Sequence, residues 1–169
     1  MEGSEIIKYV IDTNSLLEGS FNRKYEKKYF PVHWKNFEKL WNEGIVVSIE
    51  LVFIELTKSE EKRDEIYVWA EKNKNSFVSQ TEDVKKTLID LFNEYQGWSE
   101  NSKTNATWAD GELVAFAKTH SLILVTEEKI RDNFMGDDKN SKIPDLCKKE
   151  EIECINFLEL IKKENLHEF

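Results

Sequence analysis

The stretch Ile6-Ile7-Lys8-Tyr9-Val10-Ile11-Asp12-Thr13-Asn14 decides how the whole chain is read. Most of it is apolar and rich in β-branched side chains, and polar residues end it, which is the pattern of a short buried strand. Asp12 falls directly after that strand. The C-terminal ends of strands in an α/β sheet border the crevice where such folds bind ligands, so an acid at this point is expected to face that crevice.

Working outward, similar runs recur at Ile45-Val46-Val47, Phe77-Val78, Leu122-Ile123-Leu124-Val125 and residues 152–155. Helical spacing separates them. Trp34, Phe37, Leu40 and Trp41 form one apolar face that Gly44 ends, and residues 60–74 carry Ile66, Trp69 and Ala70 inward. Val84, Leu88, Leu91 and Phe92 mark a helix over residues 81–95, and residues 110–120 read as another. Pro144 suits the first turn of a short helix, and Asn156-Phe157-Leu158-Glu159 opens the last one with a capping box. Ser48 is expected to cap the helix that carries Leu51, Ile54 and Glu55. Thr107-Trp108-Ala109-Asp110 has the form of a capping box with Asp in place of Glu. Two polar stretches, residues 97–107 and 131–142, are expected to be irregular. Strands alternating with helices predict one α/β domain over residues 1–169, with a central, mostly parallel twisted sheet and helices on both faces.

A chain of 169 residues can bury a real core. Its mean hydropathy of −0.59 and 34% charged residues describe well-solvated helices rather than disorder, because 12% of the residues are aromatic. No apolar run reaches the roughly 18 residues a membrane helix needs, and Met1 to Glu5 lack signal-peptide features, so a cytoplasmic protein without membrane contact is expected. Cys147 and Cys154 are too few for a disulfide framework and read as small core residues. The net charge of −9 argues against casual binding to phosphate backbones but leaves room for local basic guides. Arg23, Lys24, Lys27 and Lys28, interleaved with Tyr25 and Tyr29, form one such cluster.

The chemistry is carried by acids. Glu55 lies on a helix-like stretch, Asp110 opens a helix, and Glu127 and Glu128 follow the strand ending at Val125. Each alone has an ordinary explanation, such as a helix N-terminus that favours Asp110 or a lysine at position 58 that pairs with Glu55. Together, in a doubly wound sheet, Asp12, Asp110 and Glu128 leave the same side. Two such charges ~5 Å apart repel by about 3 kcal/mol at an effective dielectric near 20. A divalent cation relieves that repulsion, and an all-oxygen donor set suits Mg²⁺ or Mn²⁺ rather than Zn²⁺, with one or two ions accommodated. A phosphotransfer fold of the dehalogenase kind would need a second Asp two residues after Asp12, where this chain has Asn14.

Tyr9-Val10-Ile11-Asp12-Thr13-Asn14-Ser15-Leu16-Leu17 resembles the opening strand of the PIN-domain nucleases. Ile54-Glu55-Leu56, Ala109-Asp110-Gly111-Glu112-Leu113-Val114-Ala115 and Leu124-Val125-Thr126-Glu127-Glu128 resemble the second, third and fourth acidic motifs of that family, in the right order. Ile143-Pro144-Asp145-Leu146-Cys147 and Glu153-Cys154-Ile155-Asn156-Phe157-Leu158 look like a bacterial PIN branch related to VapC-type toxins. The resemblance implies a PIN-like α/β/α sandwich and an endoribonuclease that depends on Mg²⁺ or Mn²⁺. It implies Asp12, Glu55, Asp110 and Glu128 as metal ligands, with Glu128 where many relatives have Asp. Asn14 would orient Asp12 or a water by hydrogen bonding, Glu127 is the alternate to Glu128, and Glu112 would assist Asp110. RNA as substrate, a cognate antitoxin and a homodimer are the partners it implies. The competing reading is a PIN-like module without activity that binds protein or RNA.

Overall fold

The computed structural model describes residues 7–19, 26–58, 65–104, 108–131 and 138–168. Its strands are β1 (Tyr9–Ile11), β2 (Val46–Ile49), β3 (Phe77–Val78), β4 (Ile123–Val125) and β5 (Cys154–Ile155), all parallel, in the order β3-β2-β1-β4-β5. Every residue of β1 and β2 is buried, as expected for central strands covered on both faces. The fold is thus an α/β sandwich with an all-parallel sheet, and it is consistent with the PIN-like architecture.

The chain leaves β1 toward β2 and β3, then returns to place β4 and β5 on the other side. The order reverses between β1 and β4, and the connections leaving those two strands diverge there to open a crevice. Register fixes what borders it. Ile11 pairs with Val125, so the next residues, Asp12 and Thr126, leave the sheet side by side, and the Asp12 N–H still donates to the Val125 carbonyl at 2.9 Å.

Helices complete the two layers. Among the described residues they are α1 (Thr13–Gly19), α2 (Pro31–Asn42), α3 (Glu50–Thr57), α4 (Glu65–Lys72), α5 (Glu82–Glu94), α6 (Gln96–Thr104), α7 (Asp110–His120), α8 (Ile143–Lys149) and α9 (Phe157–Lys163). Trp34, Phe37 and Trp41 of α2 are buried as their spacing predicts, and they join Trp69, Phe77 and Phe157 in one aromatic cluster. A second cluster joins Phe92, Trp98 and Trp108 beside α7, where every residue from Gly111 to Ala117 is buried. Cys147 is in the core and Cys154 packs against it, both as free thiols. Asn156 and Glu159 make the reciprocal capping box at 2.9 and 2.8 Å. Among the described residues no helix is long and apolar enough to cross a membrane.

Three local expectations are corrected. Ser48 is not a helix cap: it is the third residue of β2, its hydroxyl donates to the Ile11 carbonyl at 2.6 Å, and Ile49 stands at the cap position of α3. Residues 97–104 are helical rather than irregular. Trp98 is fully buried and anchors that helix, while Ser99 and Ser102 return their hydroxyls to carbonyls three residues back. At α7 the cap position is Ala109 with no side-chain cap, and Thr107 lies outside the described residues. Within the second polar stretch, Asp138–Asn140 form a 3₁₀ turn.

Candidate active site

Asp12 lies at the β1–β4 switch point and is only 3% exposed. The Thr126 hydroxyl donates to its Oδ2 at 2.8 Å, and the same hydroxyl accepts from the Glu128 N–H at 3.2 Å. The Asn14 backbone N–H also bonds the Asp12 carboxylate. Those donors favour the charged form, but burial outweighs them, and the carboxylates of Asp110 and Glu128 add repulsion. The Asp12 carboxyl is pushed up to about 7.

Asp110 is the first residue of α7 and shares this environment. Burial, then the charges of Glu128 and Glu55, push its carboxyl up to about 6, against a hydrogen bond from the Trp108 side chain and the charge of Lys142. Glu55, on α3, accepts from the Thr13 hydroxyl at the start of α1. Glu128 is held by Lys142, whose Nζ lies 3.4 Å from Oε1, and by the Ile143 N–H at 2.9 Å from Oε2. Asp12, Asp110 and Glu128 therefore lie within electrostatic reach of one another, with Glu55 within reach of Asp110.

The alternates go elsewhere. Glu127 accepts from the Phe157 N–H at 2.8 Å and so serves the first turn of α9, not the crevice. Glu112 is buried against Gln80, whose amide donates at 2.9 Å; burial first, then the charge of Glu50, pushes its carboxyl up. It does not assist Asp110. The side chain of Asn14 is exposed, and the orienting bond expected of it comes from its backbone and from Thr126. Lys27 and Lys28 are paired with Glu38 and Glu26 at 2.8 and 2.6 Å, while Arg23 and Lys24 lie outside the described residues.

Thr126, Thr13, Trp108 and Lys142 are the site residues that motif reading missed. Only Thr126 left a trace, as the polar residue between strand and acids; finding its role needs the β1–β4 register.

Among the described residues, no three His, Cys, Asp or Glu side chains already stand as a ligand shell for a metal ion. The donor set fits a hard divalent cation in kind: carboxylates only, one of them raised by burial and then by the charges of its neighbours. Glu55 and Glu128 are turned instead to Thr13, Lys142 and the Ile143 N–H, and they would have to exchange those partners for a cation. Curated proteins and solved structures bring up no match. A family model described as a domain of unknown function, DUF4411, matches residues 9–167, nearly the whole chain, and the protein belongs to that family.

Proposed function

We propose that this chain is an endoribonuclease of the PIN-domain type that depends on Mg²⁺ or Mn²⁺ and hydrolyses RNA phosphodiesters. The observation that carries the reading is the meeting of Asp12, Asp110 and Glu128 at the β1–β4 switch point, where burial and mutual repulsion push Asp12 up to about 7. A fold has little reason to concentrate such repulsion in a crevice unless a cation relieves it. Asp12, Asp110, Glu128 and Glu55 would hold the ion or ions. What a bound ion supplies is a water acidic enough to attack phosphorus and positive charge against the departing oxygen. Thr126 fixes the Asp12 carboxylate, and Trp108 fixes that of Asp110. Lys142 supplies positive charge at the mouth of the site.

The test is cleavage of labelled single-stranded RNA by purified protein in Mn²⁺ and in EDTA, with Asp12→Asn and Asp110→Asn beside the wild type. Cleavage should need the ion and fall by at least about 100-fold in either variant. Equal cleavage by the double variant would sink the reading. The toxin role is a further proposal: expression should arrest growth, Asp12→Asn should not, and a cognate antitoxin should relieve the arrest. A homodimer is proposed on the resemblance alone. The second reading, a non-catalytic PIN-like binding module, draws on Glu128 being engaged by Lys142 and the Ile143 N–H.

A further inference from the structure

Asp110 forms part of the wall of a surface cavity of about 410 Å³ whose other charged lining residues are cations. Arg131, Lys139 and Lys142 contribute three cations to it, and Trp108, Asn101 and Ser141 supply the rest of what matters here. In a chain with a net charge of −9, three cations around one cavity next to buried carboxylates is a local inversion of sign.

The wall is built rather than incidental. Trp108 is half-buried, stacked on Phe92 at 16° between ring planes and edge-on to Trp98 at 4.8 Å, so its ring is held rigidly at the rim. The Arg131 guanidinium donates to the Asn140 carbonyl at 2.6 Å, and the Arg131 N–H to Asp145 at 3.0 Å. Asn101 ties α6 to the same loop through the Lys139 carbonyl at 3.0 Å. Ser141 is 5% exposed, and its hydroxyl has no hydrogen-bond partner among the described residues. A buried donor left in this state is costly, and a bound oxyanion can satisfy it.

We infer that this cavity is the channel for the sugar-phosphate backbone of a single-stranded polynucleotide, with phosphates on Arg131, Lys139 and Lys142 and a base against Trp108. Cations that track the backbone beside a fixed aromatic ring are the general solution for single strands, because every base offers a π-face. Its substrate class rests on the nuclease reading above, but the binding claim is separable from it. The channel runs up to Asp110, so a strand lying in it brings a phosphodiester to the acids.

The experiment measures anisotropy of a fluorescein-labelled mixed-sequence single-stranded RNA, and of the matching DNA, in EDTA across a salt series. Wild type is compared with Arg131→Gln/Lys139→Gln, with Lys139→Glu alone, and with Lys85→Gln/Lys86→Gln on exposed α5 as an equal-charge control. The channel variants should bind about 10-fold more weakly, and the double variant should flatten the log–log salt slope by roughly 1 to 1.5, about 0.7 for each lost phosphate contact. The control should match wild type. Lys139→Glu keeps the guanidinium bond and so remains informative if the double variant is unstable. Binding unchanged in both channel variants, or no binding of either probe by wild type at low salt, overturns the inference. Channel-dependent binding without cleavage in Mn²⁺ would leave the channel standing and remove the nuclease reading.

Discussion

Thr126 and Asp12 leave neighbouring parallel strands side by side, and the threonine hydroxyl donates to Asp12 Oδ2 at 2.8 Å while accepting from the Glu128 N–H. One hydroxyl therefore positions two of the acids at once. Thr126→Val keeps the shape and leaves the Asp12 oxygen buried without its donor, at a cost of about 1–3 kcal/mol. Thermal unfolding should register that loss. RNA cleavage in Mn²⁺ should fall by about 10-fold or more, and Thr126→Ser should restore most of it. Equal activity in Thr126→Val would show that Asp12 is held by other means.

The pH dependence of the ion-free protein is set mainly by the acids, while His33, lowered by burial and then by the charge of His167, opposes them below its ordinary value. Asp12 and Asp110 are raised on folding, to about 7 and about 6, so between the ordinary carboxyl value and those values the folded state binds more protons than the unfolded one. Stability contributed by these groups therefore falls as pH rises through that window. Glu112 is raised as well and acts in the same direction. Glu150 and Glu164 are lowered, and their dependence is complete below the ordinary Glu value. In EDTA the melting temperature should drop between about pH 5 and pH 7.5, with up to roughly 4 kcal/mol traceable to Asp12. Asp12→Asn should remove most of the drop. Saturating Mn²⁺ at the higher pH should restore the wild type but not the variant. A wild-type melting temperature that climbs across this range would contradict the assignment.

At Gly111 the α7 backbone lies close against neighbouring side chains. A Cβ there would lie 3.1 Å from Phe92, 3.2 Å from Leu88 and 3.2 Å from Trp108. Gly111→Ala should gain helix propensity yet lose about 1–3 kcal/mol to overpacking. Because Trp108 must give way and it bonds Asp110, the variant should also cut RNA cleavage more than its loss of stability explains. Differential scanning calorimetry and kinetics on the same preparation separate the two effects.

Trp41 is buried with no partner for its indole N–H among the described residues. Trp41→Phe removes that unmet donor along with one ring, so the two effects partly offset, and the variant should lose no more than about 1.5 kcal/mol by urea unfolding. Trp41→Ala should lose about 3–5 kcal/mol. A Phe variant as damaging as the Ala variant would mean the indole is bonded after all.

Asp12 and Glu128 were legible because they follow apolar runs, and a strand end is a local signal; Glu55, inside a helix, stood out only through the family resemblance. What the sequence could not show was where side chains meet. The role of Thr126 depends on Ile11 pairing with Val125, a contact between distant segments. Lys142 reaches Glu128 across a long connection, and Glu127 could be told from Glu128 only once α9 was seen to take the first of them. Ser48 misled because a serine before an apolar stretch reads equally well as cap or strand, and the sheet decided for strand through the Ile11 carbonyl. The helix at residues 96–104 was hidden by Gly, Ser and Asn, weak helix formers that the burial of Trp98 overrides.

Each outer strand, Phe77–Val78 and Cys154–Ile155, is two residues long. That leaves too short a row of open N–H and C=O groups to recruit another chain by extending the sheet. The protein is thereby guarded against strand-by-strand polymerisation into fibres. What the described residues offer a docking copy or regulator instead is helical surface, where Val68, Ile89 and Leu158 are presented to solvent.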